Sequence, residues 1–157
     1  MQATPIVTIQ AAEELLTQLE EFLDKSEASF SIVIDRGGNV LGQHGRVPEG
    51  ANIDILAALA AGSFAATREL AVRIGEEEFT ALYQQGKHSH ILMSAVDDDV
   101  VMATVFGSKT TVGLVRFYAD RTVKQIAAVM KELRSTPHFE PVFTEHDLKT
   151  ATQLFGR

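Results

Sequence analysis

Residues 54–74 read DILAALAAGSFAATRELAVRI, and their apolar side chains are not confined to one face of a helix. At about 100° per residue, one stripe is expected to face the core: Leu56, Leu59, Ser63, Thr67, Leu70 and Ile74. The opposite side carries Ala57, Ala58, Ala61 and Ala65, with Asp54 at one end and Arg68 and Glu69 at the other. Such a flat, small-residue surface predicts contact with another protein. Alternatively, the alanines serve helix propensity, or the helix is buried on all sides.

Length, composition and charge indicate a single ordinary domain. A chain of 157 residues, 45% of them hydrophobic, can bury a core without disulfide or metal staples. It has no cysteine, which excludes thiolate zinc sites and thiol catalysis and fits a reducing compartment. The start, MQATPIVTIQAAEELL, lacks a signal-peptide pattern, and no stretch approaches the roughly 18 continuous apolar residues of a membrane span. The missing cysteines and signal-peptide pattern predict a cytoplasmic protein. Because the net charge is −7 and the basic residues are scattered, the protein is not expected to bind nucleic acid.

The order of the elements predicts an α+β fold. Thr8 can cap a first helix, and strands are predicted at 29–35, 40–45, 80–86, 89–96 and 100–107. The central helix stops at Gly75, and a long helix is predicted from Thr110 to Leu133. Because tight turns join neighbouring strands, we expect a five-stranded antiparallel sheet with helices on both faces, within a domain of residues 1–134. Residues 135–157 are predicted to form an extension with a short amphipathic helix at 144–154, after Pro137.

The predicted strand at 80–86, TALYQQG, is the weakest of the five and is expected at a sheet edge. It carries neither proline nor lysine to prevent pairing with another chain. An unprotected edge beside a small-residue helix suits a homodimer. The residues predicted to join the two sheets are Thr80, Ala81, Leu82, Tyr83 and Gln84.

Several patterns that could indicate an enzyme or a metal site are explained as well by structure alone. His88 and His90 alternate along the chain and could ligate a metal, but no further ligands complete the set. The run 97–99 (DDD) could hold a hard cation, yet acidic residues in a tight hairpin are typical turn chemistry. The glycine-rich turn at 36–39 joins two strands, whereas a phosphate cradle needs a following helix. No catalytic residue, cofactor or metal is therefore predicted.

Three passages, in this order, resemble the Roadblock (dynein light-chain Roadblock) domain family. They are SIVIDRGGNVLG at 31–42, LAALAAGSFAATRELAVRIG at 56–75 and VVMATVFGSKTTVGLVRFYADRT at 100–122. The resemblance spans Thr8–Leu133 and is strongest to the bacterial MglB-type proteins, whose C-terminal helix is similar to the tail EHDLKTATQLFGR. It implies a Roadblock/profilin-like fold.

The resemblance also implies a function. MglB-type proteins are homodimers that regulate a small Ras-like (MglA-type) GTPase in cell polarity and motility, by reorganising the catalytic loops of the GTPase. Carried onto this chain, the GTPase platform falls on Asp54, Ala57, Ala58, Ala61, Ala65, Arg68 and Glu69. Arg68 could act as an arginine finger, although an arginine beside Glu69 is more typical of a solvated pair. Two alternatives stay open: a dimeric scaffold that changes no rate, and a small-molecule sensor.

Overall fold

The computed structural model describes residues 7–135, in which five strands form one antiparallel sheet. The strands are β1 (Phe30–Asp35), β2 (Val40–Gly45), β3 (Ala81–Gln85), β4 (His90–Ala95) and β5 (Val100–Phe106). Their order across the sheet is β2-β1-β5-β4-β3, so β2 and β3 form the two edges. The predicted strands are confirmed, because every end lies within one residue of its expected position.

In the described part of the chain, three helices accompany the sheet: α1 (Ile9–Ser26), α2 (Ile53–Arg73) and α3 (Val112–Ser135). Each begins where a side chain accepts a hydrogen bond from an early helical N–H, as N-caps do. Thr8 caps α1, and Asn52 caps α2. α3 begins two residues later than predicted, since the Thr111 hydroxyl accepts from the Leu114 N–H and so occupies the cap position.

The helices cover both faces of the sheet, as predicted. α1 and α3 share one face, where Leu19, Phe22 and Met130 pack with Leu92 and Met102 of the strands. α2 lies on the other face, against a second apolar cluster built on β1, β4 and β5. All six residues of β1 are buried, because this central strand is covered from both sides.

The turn between β1 and β2 fixes how closely the sheet approaches α2. The Asp35 carboxylate accepts hydrogen bonds from the N–H groups of Gly37 and Asn39, each at 2.9 Å. Gly38 has φ +82°, and a Cβ built there would lie 2.9 Å from the Cα of Ala58. Only glycine suits both the left-handed backbone and this contact. The turn therefore holds Arg36 beside α2.

The described part of the chain ends with α3. Ser135 is the last residue of α3. Pro137, the amphipathic helix at 144–154 and the rest of the proposed extension lie outside the described residues.

Candidate functional site

The structure reverses the predicted faces of α2. Ala57 and Ala61, expected on the outer surface, are 0% and 7% exposed, and the predicted core stripe points largely to solvent: Leu59 is 64%, Leu70 62% and Ile74 77% exposed. Ser63 is exposed as well. The outer placement of the two alanines and the core placement of this stripe are therefore wrong.

The physical reason lies in the sheet. Large side chains, among them Phe30, Ile32 and Met93, fill the space above the strands on this face. A helix can then lie close only if it presents small groups, because protein interiors are close-packed. The side of α2 that meets this demand is its buried face, which we define as Ala57, Ala60, Ala61, Phe64 and Ala71. Its large side chain, Phe64, stacks on Phe79 just before β3, with ring centroids 5.0 Å apart.

An exposed apolar stripe runs along the far side of α2. We call it the apolar flank and define it as Ile55, Leu59, Leu70 and Ile74. The sequence analysis did not predict that this side is exposed. A signal was present, because α2 has apolar residues on all sides, and a helix of this kind has more than one apolar face. Exposed apolar patches of this kind mark contact sites.

A third side of α2 keeps most of the predicted GTPase platform at the surface. We call it the docking flank and define it as Asp54, Ala58, Ala65, Arg68 and Glu69, of which Arg68 is half-buried and the others are exposed. Ala57 and Ala61 of the predicted platform belong instead to the buried face. Two of the seven residues predicted for the platform, Ala57 and Ala61, are therefore not available at the surface.

Beside the docking flank lies an open cleft of 240 Å³ at the end of the sheet. Its lining combines apolar groups of α2, including Phe64 and Val72, with the charged side chains of Arg36, Arg68 and Asp98. The cleft thus carries charge of both signs beside an apolar wall.

The β4–β5 hairpin ties this end of the molecule together through three consecutive aspartates. Asp97 Oδ2 accepts from Arg134 Nη1 of α3 at 2.7 Å. Asp98 accepts two hydrogen bonds from the Arg68 guanidinium of α2, each at 3.0 Å. Asp99 Oδ1 lies 3.5 Å from Arg36 Nη1. One hairpin therefore holds elements from both faces of the sheet.

These pairs revise the expected partner of Arg68. It bonds Asp98 rather than its neighbour Glu69, which instead pairs with Arg73 one turn on, Nε to Oε1 at 3.0 Å. Adjacent residues on a helix do not face each other, whereas residues four apart do. Arg68 is thus held by the hairpin.

Arg134 makes the shortest of the three arginine–aspartate contacts, 2.7 Å against 3.0 Å for Arg68 and 3.5 Å for Arg36. Its hydrogen bond with Asp97 raises the pKa of the guanidinium above its ordinary value, against an opposing effect of burial. A raised pKa keeps the charged form through neutral pH, and the stabilisation would be lost only as pH rises past that pKa. Arg134 therefore stays protonated, and able to pair with Asp97, when the pH changes around neutrality.

The residues that had suggested a metal site do not converge. Nδ1 of His90 lies 3.3 Å from the Tyr83 hydroxyl, and the rings of His90, Tyr83 and Phe106 form a cluster in which each stacks on the other two. His88 is exposed in the turn after β3. Within residues 7–135, no group of three or more His, Asp or Glu is arranged to hold a metal ion.

The predicted joining strand lies where it was expected. β3 is an edge strand paired on one side with β4, with Leu82 opposite Met93. Ala81, Leu82 and Tyr83 are half-buried, and Gln84 and Gln85 are exposed. Thr80 precedes the strand but extends its ladder, since its carbonyl accepts from the Ala95 N–H at 2.8 Å.

In the described part of the chain, α2 is the one helix whose length and composition would allow it to cross a membrane. This is weak evidence, because a core helix passes the same test. The buried face of α2 packs on the sheet and accounts for part of its apolar character.

Comparison with known proteins identifies the family. A model of the Roadblock/LC7 domain matches residues 14–106, more than half of the chain. The gliding protein MglB of Thermus thermophilus has a similar structure, with a TM-score of 0.77 and 27% identity over 84% of this chain and 99% of that one. Myxococcus xanthus MglB gives a TM-score of 0.76 at 22% identity, covering 86% and 99%. Profilin II of Acanthamoeba castellanii shares the fold alone, with a TM-score of 0.52 at 13% identity over 73% and 97%.

The chain belongs to the Roadblock/LC7 family. Its fold is that of the family, with a five-stranded antiparallel sheet between α2 on one face and α1 and α3 on the other.

Proposed function

We propose that this protein is a homodimeric regulator of a small Ras-like GTPase, acting in the cytoplasm without catalytic residues of its own. Family membership and the likeness to the Thermus MglB structure at 27% identity support this class. The observation that carries the proposal is α2 itself, which presents two different exposed flanks while its third side packs on the sheet.

The apolar flank supports self-association. Leu59, Leu70 and Ile74 are too exposed to stabilise the single chain, and within residues 7–135 the outer side of β3 pairs with no other strand. A second copy related by a two-fold axis would cover both features at once, by extending the sheet and setting the two α2 helices side by side.

The docking flank supports contact with the GTPase. Ala58 and Ala65 add little bulk, so a partner backbone can approach α2 closely, while Asp54, Arg68 and Glu69 offer charged contacts. Ala57 and Ala61 contribute indirectly, because their packing on the sheet sets the depth at which α2 lies.

The mode of action that fits Arg68 best is positioning rather than insertion of a finger. Two hydrogen bonds to Asp98 hold its guanidinium, so reaching a nucleotide would require both to break. Much of the rate gain in GTP hydrolysis comes from orienting water and catalytic groups, which docking alone can provide. We therefore propose that the protein stimulates hydrolysis by ordering the loops of its partner, in a bacterial polarity or motility system.

The test is a turnover and capture assay with the GTP-bound Ras-like protein encoded nearest to this chain. Ala65→Arg should keep the fold and the dimer but abolish capture, since a clash in the centre of an interface removes several kcal/mol, or about a hundredfold or more in affinity. Ala12→Arg, at an exposed position of α1, is the matched control and should behave as the wild type.

Other outcomes identify the alternatives. Capture without any change in hydrolysis rate indicates a scaffold. Failure to bind any GTPase, together with thermal stabilisation by a small ligand, indicates a sensor. Normal capture and stimulation by Ala65→Arg would show that the docking flank is not the contact surface.

A further inference from the structure

The exposed side of α3 changes in character along the helix. Near its N-terminus it presents two large apolar side chains, with Leu114 38% and Phe117 56% exposed. Farther along it presents two exposed lysines, Lys124 and Lys131. Phe117 and Lys124 are seven residues apart, so they lie two turns apart on one side of the helix. We call this side, with its four named residues, the outer side of α3; it is apolar at one end and basic at the other.

Contacts within the described chain leave the outer side of α3 incomplete. The Arg121 guanidinium lies 5.8 Å from the centre of the Phe117 ring, and the Tyr118 ring meets it edge-on, yet more than half of Phe117 stays exposed. Within residues 7–135, Lys124 forms no ion pair with an acidic side chain. This pattern favours an occupant that offers an apolar group and a carboxylate two helical turns apart.

The chain itself continues with a segment of that kind. Residues 136–157, which we call the C-terminal segment, read TPHFEPVFTEHDLKTATQLFGR, and a helix is predicted at 144–154. In that helix Asp147, Ala151 and Leu154 have the i, i+4, i+7 spacing of residues on one side. The carboxylate and the leucine are therefore two turns apart, as the lysine and the phenylalanine are on α3.

The connection to α3 favours an antiparallel alignment. Because the C-terminal segment starts where α3 ends, its helix can run back beside α3 after a short connection. With Leu154 level with Phe117, Asp147 comes level with Lys124, since each helix rises about 1.5 Å per residue. The helix of the segment then starts about 12 Å back from the end of α3 along its axis. Residues 136–143 can span about 26 Å, enough for this distance and for the roughly 8–10 Å between packed helices.

Attachment to α3 favours this segment over an occupant from another molecule. A short tether gives an effective concentration of about the millimolar range, with which a separate protein would have to compete. An anionic membrane is disfavoured for another reason. It would meet the exposed carboxylates of Glu13, Glu20 and Glu21 on α1, which covers the same face of the sheet as α3.

We infer that residues 136–157 fold back onto α3 of their own chain, with Leu154 against Phe117 and Asp147 paired with Lys124. This contact lies on the opposite face of the sheet from α2, so the inference does not rest on the proposed contact with a GTPase. A partner that binds the outer side of α3 would first have to displace the segment.

Disulfide capture tests the alignment, because the chain has no cysteine of its own. In the inferred alignment, Asp120 on α3 is level with Ala151. The full-length variant Asp120→Cys/Ala151→Cys should form a disulfide within one chain at least about tenfold faster than Ser63→Cys/Ala151→Cys. Ser63 is the matched control, since it is exposed on α2 at the other face of the sheet. Mass spectrometry under non-reducing conditions measures the rate and separates linkage within one chain from linkage between two.

Charge reversal tests the ion pair in the same background. Asp147→Lys should slow disulfide formation about fivefold at low ionic strength, and adding Lys124→Glu should restore the rate. Glu145→Lys is the matched control and should leave the rate unchanged, because residue 145 lies about 200° around the predicted helix from Asp147. In a separate full-length variant, Phe117→Trp supplies the only tryptophan of the chain. Its emission should shift to longer wavelength with Asp147→Lys and not with Glu145→Lys.

Three results would overturn the inference. A disulfide through Ser63 as fast as that through Asp120 would place the C-terminal segment at α2. Linkage between two chains would show that the segment of a second copy covers α3. Equal effects of Asp147→Lys and Glu145→Lys, on both the disulfide rate and the emission, would leave the outer side of α3 to another molecule.

Discussion

Ala61 and Ala65 stand one helical turn apart, yet they belong to different surfaces. Ala61 lies on the buried face against the sheet, whereas Ala65 is exposed on the docking flank. Sequence reasoning treated them as equivalent. Which side of α2 packs on the sheet depends on the space that the large side chains of β1 and β4 leave. This space is set by packing between segments far apart in the chain.

This difference predicts opposite effects of the same substitution on stability. Ala61→Arg inserts a long charged side chain between α2 and the sheet and should lower the free energy of unfolding by about 3 kcal/mol or more. Ala65→Arg should stay within about 0.5 kcal/mol of the wild type, because its side chain extends into solvent. Urea denaturation monitored by circular dichroism measures both. Equal loss of stability in the two variants would contradict the assignment of the buried face.

At the scale of elements, the strands and helix boundaries could be predicted because their signals are local. Turn residues such as those at 36–39 and caps such as Thr8 act on their immediate neighbours, and the structure places them as expected. The edge position of β3 also followed from its weak, polar sequence. The orientation of α2 did not, since its apolar residues surround the helix and periodicity alone cannot select a side.

Alternate residues of β3 bond β4, since the Thr80 carbonyl accepts from Ala95 N–H and the Gly86 N–H donates to the Ser89 carbonyl. The even-numbered residues therefore face β4 and the odd-numbered ones the open edge, which predicts the effect of proline at neighbouring positions. Gln85→Pro removes an N–H that faces the open edge, so it should leave the fold intact and weaken self-association. Gln84→Pro removes an N–H that faces β4, so it should destabilise the chain itself by roughly 1–3 kcal/mol. Thermal unfolding and sedimentation velocity separate the two effects. A stable, fully dimeric Gln85→Pro would show that the edge of β3 is not used.

At the scale of the whole molecule, the hairpin of three aspartates connects layers that the sheet otherwise separates. Its contacts are unequal. The Asp97 and Arg134 side chains are both about three-quarters buried, whereas Asp98 is almost fully exposed. Partly buried, charge-assisted hydrogen bonds contribute more than exposed ion pairs, which water and salt screen.

Neutralising these aspartates one at a time should reveal the difference. Asp97→Asn should lower the free energy of unfolding by about 1.5–3 kcal/mol, and Asp98→Asn by less than about 1 kcal/mol. Chemical denaturation at one protein concentration, with and without 1 M NaCl, is the measurement. Salt should abolish the effect of Asp98→Asn and leave much of that of Asp97→Asn. Similar losses of unfolding free energy in the two variants would mean that burial does not determine which ion pair stabilises the protein more.

The exposure of both the apolar flank and an open strand edge has a consequence for the newly made chain. A single copy leaving the ribosome displays Leu59, Leu70 and Ile74 together with the unpaired backbone of β3, which are the two kinds of surface that promote aggregation. In the proposed homodimer both surfaces are covered, so the survival of a new chain is expected to depend on how soon it meets another copy, and so on the local rate of synthesis. Cellular abundance should consequently fall more steeply than transcript level when expression is reduced, because unpartnered chains are the ones that chaperones and proteases remove.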